Sequence, residues 1–140
     1  MNEHRFEHIE HTADKGVLAY GDTLEEAFEN IAYGMFSLMA DLASYQPSDV
    51  LKVEISAEDE VSLLRKWLKE LLFTFEVERV LPVDFSVKEI ADGRLLAEVR
   101  VRPFGPDIEW LGSQVKAVTY HGMEVDKFEH GYRVQAIVDV

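Results

Sequence analysis

The chain contains no cysteine. Disulfide bridges, thiolate metal centres and cysteine nucleophiles are thereby excluded. No apolar run approaches the roughly 18 residues that cross a bilayer as a helix. The opening Met1-Asn2-Glu3-His4-Arg5-Phe6 lacks the apolar core of a signal peptide, so a cytoplasmic location without a membrane partner is expected. Neither familiar spacing of phosphate-binding glycines occurs, and no nucleotide site is expected. Ser37, Ser44, Ser48 and Ser113 have no serine-nucleophile context. Basic residues are also scarce: 14 Lys and Arg stand against 27 Asp and Glu, a formal net charge of −13. A protein that grips nucleic acid by its phosphates needs a basic face to displace counterions. Direct nucleic-acid binding is therefore not expected. The acidic balance suits a cation ligand, a basic protein partner, or plain solubility.

What is present is an ordinary globular composition. The 140 residues are 47% hydrophobic and 29% charged, which fits one domain over residues 1–140. No repeat, low-complexity tract or linker divides them. Residues 5–11 read as an edge strand, and Val17 to Tyr20 as a second strand. From Thr23 to Leu42 the apolar residues Leu24, Ala27, Phe28, Ile31, Met35, Phe36 and Met39 recur at helical steps. Thr23 with Glu26 three residues on is a capping-box signature. Leu51, Val53 and Ile55 alternate as in a strand with one wet face. A second helix is expected from Ser56 and Asp59 to about Glu78, with the stripe Val61, Leu64, Leu68, Leu71, Leu72 and Phe75. The acids Glu58, Asp59 and Glu60 suit its start, where the macrodipole favours negative charge. Trp67 on that helix reads as packing or a contact patch.

Val83, Phe85 and Val87 alternate up to Asp92-Gly93, and Leu95, Ala97, Val99 and Val101 alternate back, which predicts a hairpin. Pro103 to Gln114 reads as a surface loop. Val115 to Tyr120 suits a strand or a short helix. Met123–Phe128 and Tyr132–Val138 suggest a closing hairpin around His130-Gly131. In its second strand Tyr132, Val134, Ala136 and Val138 share one face, and Arg133, Gln135, Ile137 and Asp139 the other. The expected class is α+β: a two-layer sandwich of a mostly antiparallel sheet with two amphipathic helices on one face.

Three segments could carry chemistry. His11 and Asp14 can converge on one ion if their loop curls, but a His-x-x-Asp pair is more often a local hydrogen bond. Asp139 precedes Val140 and its α-carboxylate, after a strand expected to be central. Two such groups held together repel one another, and a cation relieves the repulsion. Hard oxygen donors favour Ca²⁺, Mg²⁺ or Mn²⁺; a surface acid is the plainer reading. Lys116-Ala117-Val118-Thr119-Tyr120-His121-Gly122 mixes titratable and aromatic groups in a core-like stretch, as a partner surface or a hydrogen-bonded turn would.

Together these segments resemble the archease family. The resemblance rests on Glu10-His11-Thr12-Ala13-Asp14, on Tyr20-Gly21-Asp22-Thr23-Leu24-Glu25-Glu26-Ala27-Phe28, on Lys116 to Met123, and on Val138-Asp139-Val140. It runs along the whole chain, with Lys15 standing where the family usually has an aliphatic residue. It implies a metal site at His11, Asp14, Asp139 and Val140, with Ca²⁺ the expected ion. It also implies an RtcB-type RNA ligase as partner, whose guanylylation and multiple turnover in tRNA splicing or RNA repair the protein promotes without being an enzyme itself. Lys116 and His121 are then the candidate partner-binding residues. A small metal-dependent hydrolase using His11, Asp14 and Asp139 competes with this, but no general base or oxyanion donor accompanies them. A chaperone-like module for an RNA-modifying enzyme is the other alternative.

Overall fold

A computed structural model describes residues 5–10 and 14–140. In chain order the elements are β1 (Phe6–Glu10), β2 (Asp14–Gly21), α1 (Leu24–Phe36), β3 (Asp49–Ser56), α2 (Glu60–Glu78), β4 (Val80–Ala91), β5 (Arg94–Pro103), β6 (Ala117–Val118), β7 (Glu124–Phe128) and β8 (Gly131–Asp139). The α+β class holds, and the described strands pair antiparallel throughout. They divide between two sheets, however, where one was expected. A five-stranded sheet runs β1-β2-β8-β6, with β7 also on β8, and a three-stranded sheet runs β3-β5-β4.

The helices begin where their caps dictate. The Thr23 hydroxyl accepts the Glu26 amide at 3.1 Å, one half of the expected capping box. The Glu26 carboxylate turns instead to Arg5, whose guanidinium donates to it at 2.8 Å. The start of α2 is capped by Asp59, which accepts the Ser62 amide at 2.8 Å. Ser56 ends β3, and its carbonyl accepts from the Lys66 ammonium. The first helix stops at Phe36, short of the expected Leu42. Leu38, Met39, Ala40 and Leu42 are nevertheless buried, so the apolar pattern continues through a turn and a short 3-10 segment at Leu42–Ser44. In α2 the expected Val61 is 40% exposed, while Leu63 and Trp67 join the core in addition to the stripe.

The core lies around α1. On one side it meets the inward residues Val17, Ala19, Val134, Ala136 and Val138 of β2 and β8, all fully buried. Gly34 permits the close approach: a Cβ there would stand 2.8 Å from Val17 Cγ1 and 3.0 Å from the Phe6 ring. On its other side α1 reaches β4, where Phe85 stacks with Phe36 at 6.0 Å and meets Trp67 edge-on at 6.4 Å. Trp67 has no exposed surface, and its indole N–H donates to the Phe28 carbonyl of α1 at 3.0 Å. It is therefore packing, with its one polar group satisfied. The β4–β5 hairpin turns at Asp92 (φ 52°) and Gly93 (φ 75°), the two positive φ values that a tight primed turn demands.

Candidate metal site

Strands β2 and β8 run side by side in unbroken register from Gly21↔Tyr132 to Asp14↔Asp139. Cross-strand partners project from the same face with Cβ atoms about 4.5–5.5 Å apart. The two carboxylates are thus neighbours at one end of the five-stranded sheet. The face is the outer one, because the alternate residues Val134, Ala136 and Val138 point into the core. Among the described residues neither carboxylate has a hydrogen-bond or ion-pair partner. Asp139 is exposed and Asp14 half-buried.

A third strand closes this end. Ala117 pairs with Asp139 and Val118 with Val138. The Lys116 amide donates to the Asp139 carbonyl at 2.7 Å, and the Thr119 amide to the Ile137 carbonyl at 3.0 Å. Strand β6, expected over residues 115–120 as strand or helix, is thus a two-residue bridge that flanks Asp139 on the side away from β2. Both neighbours of Asp139 are therefore fixed by backbone hydrogen bonds, which holds its backbone in place without using its carboxylate. Val140 follows directly and packs partly buried against the core.

The structure therefore brings together Asp14, Asp139, Val140 and the backbone of Lys116. His11 lies outside the described residues. His121 is exposed in the turn after β6, where its carbonyl accepts the Thr119 hydroxyl at 3.2 Å. The next residue, Gly122, has its carbonyl held by the Gln135 amide at 2.7 Å. Gln135 is four residues back along β8, about 13 Å at strand rise, so His121 stands apart from the acidic pair. Lys15, the departure from the usual aliphatic residue, forms an ion pair with Glu10 at 2.7 Å across the β1–β2 pairing, and that pair holds the Glu10 carboxyl below its ordinary range, chiefly through the hydrogen bond. What the sequence reading missed is the part played by main chain: the Lys116 amide carries no side-chain signature, and only the strand pairing reveals it.

The donor set suits a hard cation. Two carboxylates on one face, free of other described partners, supply oxygen ligands of the kind Ca²⁺, Mg²⁺ and Mn²⁺ prefer.

The sequence profile of the Archease protein family matches residues 6–140. Proteins named archease from Methanosarcina mazei and Pyrococcus furiosus are each 36% identical over 140 residues, spanning 97% of this chain and 96% and 99% of their own. The archease of Thermococcus gammatolerans is 39% identical over 130 residues, 91% of this chain and 92% of its own. The solution structure of a Methanobacterium thermoautotrophicum protein is similar at a TM-score of 0.87 and 38% identity, covering 99% of this chain and 100% of that one. A Thermotoga maritima crystal structure, described as an archease and possible chaperone, shares the fold at a TM-score of 0.59 and 14% identity, with 99% and 100% covered. With the family profile and these relatives spanning nearly the whole chain, the protein belongs to the archease family.

Proposed function

We propose that this chain is a metal-binding accessory factor that promotes guanylylation and multiple turnover of an RtcB-type RNA ligase in tRNA splicing or RNA repair. The observation that carries the reading is the in-register pairing of Asp14 with Asp139 at the open end of the five-stranded sheet. His11, Asp14, Asp139 and Val140 would hold the ion, with Ca²⁺ the expected species. A bound divalent cation would supply concentrated positive charge on an otherwise acidic molecule. The chain's own residues do the rest. Asp14 and Asp139 are positioned by β2 and β8, and the Lys116 amide fixes the strand end. The exposed Lys116 lies beside it as a docking group, and the exposed His121 is a second one further along β8. The protein is an activator in this reading, and the chemistry on RNA belongs to the ligase.

The test adds the protein to an RtcB-type ligase with GTP and Mn²⁺, and measures guanylylated ligase and ligation turnovers. Wild type should raise both. Asp139→Ala should lose most of the stimulation while remaining folded. A folded Asp139→Ala that stimulates as wild type does would remove the acidic pair from the mechanism.

A chaperone-like role is the second reading. Its support is the apolar side chains in solvent, Phe73 at 60%, Trp110 at 44%, Leu111 at 49% and Phe128 at 54% exposed, and the description of the Thermotoga maritima relative. Light scattering from a heat-stressed ligase separates the two. Suppression that survives Asp139→Ala belongs to the chaperone reading.

A further inference from the structure

The outward side of α2 breaks the charge pattern of the rest of the molecule. Arg65, Lys66 and Lys69 fall within a turn and a half of helix, in a chain with almost twice as many acids as bases. Among the described residues none of the three has an ion-pair partner. By contrast Arg94, Arg100, Arg102 and Arg133 on strands β5 and β8 each face a carboxylate at 4.0 Å or less. The three cations are not scattered. Arg65 and Lys69 both lie over the ring of Tyr120, at 4.2 and 5.9 Å from its centroid, and that ring is 72% exposed. Two like charges one helical turn apart repel one another, and the ring face offsets this only in part. An anion seated between them would complete the balance.

Apolar surface adjoins the charges. Phe73, one turn beyond Lys69, is 60% exposed and, with Ile55 of β3, borders a shallow depression that Arg65, Lys66 and Lys69 also line. Glu70 edges the same depression, and Glu76 and Glu78 follow further along the helix. The positive region is therefore small, with acids following it along the helix. A long polyanion or an anionic membrane would extend past it onto the acids of a molecule of net charge −13, whereas a short segment feels little of charges further off than about 8–10 Å at physiological salt. A short segment touches only the patch.

We propose that the Arg65–Lys69–Tyr120 face of α2 is a docking surface for an acidic segment of a partner protein, with carboxylates set against the two cations and an apolar side chain in the depression beside Phe73. Its cations belong to α2, whereas Asp14 and Asp139 belong to β2 and β8.

The probe is a short fluorescent peptide alternating glutamate with leucine, titrated by anisotropy at low and at physiological salt. A single-stranded oligonucleotide and anionic vesicles are run in parallel. Wild type should bind the peptide in preference to both, more weakly as salt rises. The variant R65E/K69E should lose about tenfold or more in affinity, and Y120A should lose part of it. K52E/K127E, which moves the net charge by the same amount from separate strands, should bind as wild type does. Lys52, Lys69 and Lys127 are exposed and Arg65 is half-buried, and circular dichroism checks that each variant is folded. Equal loss in the two charge variants would reduce the effect to net charge and overturn the proposal. So would absence of peptide binding by wild type, or binding of the oligonucleotide or vesicles alone. None of these outcomes depends on metal binding or on a ligase, so they leave the acidic-pair reading where it was.

Discussion

The two sheets of the molecule are built from similar strands and put to different uses. The three-stranded sheet carries none of the candidate residues. Its β4 edge is closed by α1, from which the Glu29 carboxylate accepts the Val87 amide at 2.8 Å and Glu25 accepts the Ile90 amide at 3.1 Å. An edge strand that finds partners for its amides is withheld from other chains. The five-stranded sheet has an equally dry inner face, but its far end leaves Asp14 and Asp139 without described partners. The fully buried side chains of β2 and β8 and the acidic pair thus fall on opposite faces of that sheet. Substitutions should therefore separate stability from function cleanly.

The sharpest way to break that separation is at its centre. Trp67→Ala should cost about 3–5 kcal/mol of unfolding free energy, read from urea denaturation, because it opens a cavity and removes the indole hydrogen bond to the Phe28 carbonyl. Calcium titration of the protein that remains folded should be unchanged. A shift in affinity would mean that the core reaches the sheet end.

At the sheet end the effects should reverse. Asp14→Ala or Asp139→Ala should abolish most calorimetric metal binding and most ligase stimulation. Stability without metal should stay within about 0.5 kcal/mol of wild type, as for surface changes generally. A loss beyond about 2 kcal/mol would assign these residues to packing instead.

A smaller effect is expected at the α2 start. The Ser62 amide, hydrogen-bonded to the Asp59 carboxylate, holds that carboxyl below its ordinary range. A depressed folded value stabilises the protein above the unfolded value and loses that stability as pH falls through the folded one. Asp59→Ala should thus lower the melting temperature modestly at neutral pH, and the difference from wild type should vanish in strong acid.

Glu29 should show the opposite sign, and the smallest change. Burial raises its carboxyl above the ordinary value, while the Val87 amide opposes the shift. A raised folded value favours the protonated protein, so this contribution is present below the unfolded value and lost as pH rises through the folded one. Glu29→Gln keeps an acceptor for Val87 and should flatten the melting-temperature profile just above the ordinary glutamate range. An unaltered profile would place the cost of burying Glu29 elsewhere.

Local signals were legible and pairing was not. The two helices, the Asp92-Gly93 hairpin and the alternation of β3, β5 and β8 follow from spacing within a few residues. The end of α1 was misplaced because Leu38, Met39 and Leu42 are buried for tertiary reasons after the helix has stopped. The division into two sheets depends on β8 choosing β2 across the length of the chain, which no local pattern encodes. The same holds for the candidate site. His11 with Asp14, and Asp139 alone, are ordinary motifs. Resemblance to a family suggested that they join, and the β2–β8 register brings Asp14 to Asp139.

That register also sets a timetable. Strands β3, β4 and β5 and helix α2 follow one another along the chain and touch one another, so they can close early. Strand β2 has to wait for β8, since pairing between distant segments is slow and comes late. A protein emerging from the ribosome folds what it has, and Asp14 then stands alone until β8 has been made. A chain cut short or stalled before β8 would keep much of its core and have no Asp139 to offer. The acidic pair would thus form only once β8 has paired with β2.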